Sequence, residues 1–88
     1  MKIKSGYLLR EVAHQYIVIP VEKRVLDFNG MITLNGTGVF LWQNLQEEKT
    51  EAELLQLLLD TYNVDPQRAQ QDLTAFLNIL RNNHLLDD

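Results

Sequence analysis

The hydrophobic period changes near residue 35, and no other feature constrains the fold of this chain more. Before residue 35, apolar residues come in short runs rich in β-branched and aromatic side chains, the mark of strands. After it, they recur every three to four residues behind three helix-start signals. Strands followed by helices, with no alternation between them, indicate an α+β domain. The chain is 88 residues long, which allows one small domain (1–88) and one modest core.

The front third reads as strands. Tyr7-Leu8-Leu9-Arg10-Glu11-Val12 is β-prone, and Ala13-His14-Gln15 turns the chain. Tyr16-Ile17-Val18-Ile19-Pro20-Val21 is nearly all apolar, which suits a strand covered on both faces. Pro20 donates no hydrogen bond, so it belongs at that strand's end or on an unpaired side. Glu22-Lys23-Arg24 reads as a polar turn. Val25-Leu26-Asp27-Phe28 and Met31-Ile32-Thr33-Leu34 flank Asn29-Gly30, a strong hairpin signal because both residues tolerate positive φ. The imperfect alternation leaves open whether these are two strands or one strand beside a turn.

The remainder reads as helices. Asn35 caps a helix over about 35–46, with Val39, Phe40, Trp42 and Leu45 apolar. Gly36 and Gly38 weaken its first turn, and that cost points to a tight approach to neighbouring backbone. Thr50-Glu51-Ala52-Glu53 is a capping box opening a second helix to about residue 62, which buries Leu54, Leu55, Leu58 and Leu59. Asp65-Pro66 opens the longest helix, to about residue 83, with Leu85 and Leu86 folding back onto the core.

Charge and composition remove several functions. There are 12 acids against 8 bases and no cysteine. The absent cysteines exclude disulfides, thiolate catalysis and Cys-based metal sites. His14 and His84 have no partner at metal-ligand spacing, so no metal and no cofactor is expected. Ser5 is the only serine and lacks a nucleophile motif, while Glu47-Glu48 and Asp87-Asp88 read as solvated surface. Gly36-Thr37-Gly38 lacks the Gly-Lys-Ser/Thr of a phosphate loop. The expectation is therefore that the protein is not an enzyme. Residues 1–34 carry five bases against three acids, +2, and residues 35–88 three bases against nine acids, −6. That acidic helical part argues against nucleic acid. No signal peptide or membrane span is visible, so the expected location is the cytoplasm.

At 100° per residue, Ala69, Leu73, Phe76, Leu77 and Leu80 form one stripe of the last helix, the ordinary buried face. Arg68, Asp72, Ala75 and Ile79, with Asn83 near the end, form a strip beside it. This second strip is either part of a wide apolar face or the wall of a groove. The facing wall would be an exposed strand edge, able to take an extended peptide by β-augmentation. The segment 31–34 is the candidate edge.

These residues resemble a known family. Leu34-Asn35-Gly36-Thr37-Gly38-Val39-Phe40-Leu41-Trp42 resembles the strand-to-helix passage of PqqD-like proteins. Thr50-Glu51-Ala52-Glu53-Leu54-Leu55, with Leu58 and Tyr62, resembles their second helix. Asp72-Leu73-Thr74-Ala75-Phe76-Leu77-Asn78-Ile79-Leu80, then Leu85-Leu86, resembles their third helix and C-terminal end. The likeness runs from about residue 7 to residue 86. It implies a winged-helix-like domain, a three-stranded antiparallel sheet (about 7–34) followed by three helices (about 35–83). It also implies a recognition element for ribosomally made, post-translationally modified peptides. Such an element holds a precursor's leader peptide as an added strand and presents it to a maturation enzyme, often a radical SAM enzyme. Carried over, the peptide-binding wall is Ile32, Thr33 and Leu34 on the strand and Arg68, Asp72, Ala75, Phe76 and Ile79 on the helix. Two positions depart from the family: His84 stands where a glycine is usual, and Gly36 where it is not. The rival expectations are a winged-helix DNA-binding regulator and a scaffold that forms a homodimer through the strand edge.

Overall fold

The computed structural model describes residues 1–21 and 32–87. The strands are β1 (Lys2–Ile3), β2 (Tyr7–Val12), β3 (Gln15–Pro20), β4 (Ile32–Leu34) and β5 (Leu86–Asp87). The helices are α1 (Gly36–Asn44), α2 (Glu51–Thr61) and α3 (Pro66–Asn82). Strands β2-β3-β4 form an antiparallel sheet in that order, and three helices follow it. The α+β class and the strands-then-helices order are as the sequence indicates. The expected turn at Glu22-Lys23-Arg24, strand at Val25-Leu26-Asp27-Phe28 and hairpin at Asn29-Gly30 lie outside the described residues.

Strands β2 and β3 pair from Tyr7↔Pro20 to Val12↔Gln15. Their turn is only Ala13-His14, so Gln15 belongs to the strand rather than to the turn. Both turn residues have positive φ, 53° and 65°, as a two-residue hairpin demands. The inner face of the sheet is buried through Tyr7, Val18, Ile32 and Leu34. The other face departs from the expectation that β3 is covered on both sides. Ile17 and Ile19 are half-buried there, beside exposed Leu8 and Val12. A near-continuous apolar run does not say how many layers cover it; here the described helices all pack on one side.

The helix starts follow their signals. Asn35 caps α1, its Oδ1 accepting from the Gly38 amide at 2.8 Å. The capping box at α2 is complete: Glu53 N–H donates to Thr50 Oγ1 at 3.1 Å and Thr50 N–H to Glu53 Oε1 at 2.9 Å. The bond from the Thr50 amide, and then the bond with the Thr50 hydroxyl, hold the Glu53 carboxyl below its ordinary pKa. Asp65 caps α3, with Pro66 in the first turn. Along α2, Leu54 and Leu58 are buried while Leu55 and Leu59 are half-buried. In α1 the deep residues are Leu41, Trp42 and Leu45; Val39 and Phe40 lie nearer the surface. Phe40 meets Tyr62 edge to face, ring centroids 5.4 Å apart.

The chain ends pair with each other. Strand β1 runs antiparallel to β5, Ile3 opposite Leu86. Ile3 N–H donates to the Leu45 carbonyl and Lys4 N–H to the Leu85 carbonyl, each at 2.9 Å. Leu85 and Leu86 fold back as expected, but two-residue strands leave no periodic signal in a sequence. The fold-back depends on His84, the residue after the Asn83 cap of α3, which has φ 61°. Leu85 N–H reaches the Leu80 carbonyl at 2.9 Å and His84 N–H the Arg81 carbonyl at 3.1 Å. That is a Schellman ending, whose left-handed residue is usually glycine. The position is one that favours glycine on conformational grounds, and histidine occupies it at a cost.

Candidate functional site: a groove between β4 and α3

The register of the sheet decides what β4 offers at its edge. Val12 and Gln15 close a two-residue hairpin, so they exchange both backbone hydrogen bonds. Further along the same register, Val21 N–H donates to the Gly6 carbonyl at 2.8 Å. Odd-numbered residues of β3 therefore bond to β2, and Tyr16 and Val18 face β4. Their partners are Leu34 and Ile32. Thr33, between these two, turns its N–H and C=O away from β3. No described residue pairs with that outer edge of β4. The same parity explains Pro20: its missing N–H lies on the side away from β2, at the last position of β3.

The edge faces helix α3 across a groove of about 340 Å³. Thr33 and Leu34 line one side, Arg68, Asp72, Ala75, Phe76 and Ile79 the other, and Asn35, Thr37, Gly38 and Leu41 the floor and one end. Seven of the eight residues expected to form the wall thus line one groove. The eighth, Ile32, does not; its side chain is buried in the core. The contribution of α1 went unread. Its one signal was Gly38, where a Cβ would stand 3.2 Å from Leu34 Cβ and 3.3 Å from Asn35 Oδ1. The first turn of α1 is seated against the end of β4, so it becomes the groove's floor. The contact is with side chains rather than backbone, and it does not extend to Gly36, which faces open space.

The groove is graded along its length. From Ile79 to Arg68 the α3 wall spans about 16 Å, the reach of roughly five residues of extended chain. The Ile79 end is apolar: Ile79 is 44% exposed, a large aliphatic side chain left in water beside Ala75 and Phe76. The other end is charged. Arg68 Nε lies 3.4 Å from Asp72 Oδ1, one turn apart on α3, and both side chains are largely exposed. An exposed pair of this kind is worth only a few tenths of a kcal/mol. Either group can therefore leave its partner for a ligand at little cost. Among the described residues no cluster of three His, Asp or Glu side chains lies within reach of one metal ion.

Residues 15–86 match the model of coenzyme PQQ synthesis protein D (PqqD). The chain belongs to the PqqD family. Two solved structures share the fold. TbiB1, determined in complex with the TbiA(beta) leader peptide, superimposes with a TM-score of 0.74 at 24% identity, covering 99% of this chain and 95% of its own. Lasso peptide synthetase B1, complexed with the leader peptide, gives 0.69 at 18% identity, with 96% and 93% covered. No curated protein matches the chain in sequence. The family's arrangement of sheet and helices is thus what holds β4 and α3 on either side of the groove. No helix among the described residues is long and apolar enough to cross a membrane.

Proposed function

We propose that this PqqD-family protein is a non-catalytic adaptor that captures the leader segment of a ribosomally made precursor peptide as an added strand on β4. It then presents the rest of the precursor to a maturation enzyme, such as a radical SAM enzyme, in the cytoplasm. One observation carries the reading: the backbone groups of Thr33, which pair with no described residue, face an exposed, partly apolar helix strip across a groove of about 340 Å³. Backbone hydrogen bonds supply affinity without regard to sequence, and side-chain subsites on α3 supply the selection. Two solved structures of the same fold hold leader peptides, which supports a leader peptide as the ligand. Ala75 leaves room for ligand side chains, Phe76 and Ile79 give apolar contact, and Arg68 and Asp72 select polar groups. Leu34 packs beneath the added strand, and Ile32 supports the edge from the core.

The test is a titration of the ¹⁵N-labelled protein with the leader segment of a precursor encoded beside it. Binding at micromolar affinity or tighter is expected, with the Thr33 amide among the most shifted and its hydrogen exchange slowed. No binding overturns the adaptor reading. Binding that leaves Thr33 untouched overturns strand addition. A concentration-dependent rise in mass without peptide, by light scattering, would instead assign the edge to a second copy of the chain.

A further inference from the structure

We infer that the captured peptide seats a small apolar side chain in a notch beside the charged end of the groove, between the end of α2 and the start of α3. The notch is lined by Leu58, Tyr62, Val64 and Ala69, with Thr37 and Asp72 at its mouth. Thr37 and Asp72 also line the main groove. The two hollows are therefore contiguous, and a strand leaving β4 passes over the first turn of α1 directly into the notch. This inference rests on the groove being a peptide site.

The walls are set before any ligand arrives. Leu58 and Ala69 are buried core residues, and Tyr62 is held by the edge-to-face contact with Phe40. Val64 is different. It lies in the connection between α2 and α3 and is 41% exposed, an apolar side chain at the rim that stays wet unless something covers it. The space is about 40 Å³, little more than the share of one water molecule in the liquid. It suits a side chain of about one methyl group, as in alanine, and excludes an aromatic ring. Its distance from the first apolar contact is also fixed. From Ile79 to Ala69 helix α3 advances about 15 Å, which an extended peptide covers in four to five residues. The occupant is thus a peptide with two apolar positions four to five residues apart, the second one small, separated by residues that pass Arg68 and Asp72.

A displayed library of random 15-residue peptides, selected on the intact protein, tests this. Enriched peptides should show both apolar positions at that spacing. The best of them, synthesised, should bind Val64→Asp or Val64→Ser about five- to tenfold more weakly than the parent protein. Replacing its small apolar residue with glycine should cost a similar factor and abolish the response to either substitution. Val64 is at the surface, so both variants are expected to melt as the parent does. Enrichment of a single apolar position, with binding unchanged in both variants, overturns the notch and leaves the groove standing. No enrichment at all overturns both.

Discussion

Helix α3 carries two strips side by side, and they end up in different surroundings. Ala69, Leu73, Phe76, Leu77 and Leu80 are buried against the core. Ala75 and Ile79, with Arg68 and Asp72 on the same strip, face the groove and remain exposed. Apolar character does not separate the strips, since isoleucine is as hydrophobic as leucine. What separates them is the opposing surface. The first strip meets helices and sheet. The second meets the edge of β4 across an open groove. A helix face is core where another element covers it, and no described element covers the second strip.

The contrast breaks first if the buried strip is less essential than it looks. Leu77 has no exposed surface, and Leu77→Ala should cost about 3 kcal/mol from lost burial and the cavity left behind. In a domain of this size that is a large share of the total stability, and a urea midpoint will show it. The opposite result is expected one strip over. Ile79→Glu should reduce leader-peptide affinity about tenfold or more, by calorimetry, while moving stability by less than about 0.5 kcal/mol. A loss of stability on the scale of Leu77→Ala would make Ile79 core and remove the groove's apolar end. The smallest effect sharpens the comparison from outside both strips. His84→Gly should stabilise the fold by about 0.5–1 kcal/mol, because glycine adopts the left-handed conformation that costs histidine about 1 kcal/mol or more. Part of the gain is offset by glycine's freedom in the unfolded chain. Thermal denaturation reads the change, and peptide affinity should not move, since His84 is outside the groove.

Much of the framework was legible because it is local. Asn35, Thr50 and Asp65 each satisfy amides within three residues of themselves, so their roles do not depend on the rest of the fold. The buried stripe of α3 followed from helical period alone, and the resemblance of 34–42 and 72–80 to PqqD-like proteins pointed to the strand and the helix that form the walls. The misreadings have a common origin. Ile17 and Ile19 are as apolar as Val18, yet their exposure depends on which layers the sheet receives. Gly36 and Gly38 are two residues apart, yet only Gly38 meets a neighbour, because only that position of α1 turns toward Leu34. The pairing of β1 with β5 joins residues more than 80 apart through two-residue strands, and no window of sequence contains it.

The sequence by itself determined the order of elements, where each helix begins, the main buried stripe of α3 and the acidic balance of the helical part. All of these rest on interactions within a turn or two of chain. Only the tertiary structure decided that no described residue pairs with the outer edge of β4, that Thr33 rather than Ile32 turns its backbone groups there, and that α1 lines the groove. Those facts come from hairpin register and from packing between distant segments. A one-residue shift in pairing would reverse the directions of every backbone group along β4, and nothing in the composition of Ile32-Thr33-Leu34 distinguishes the two registers.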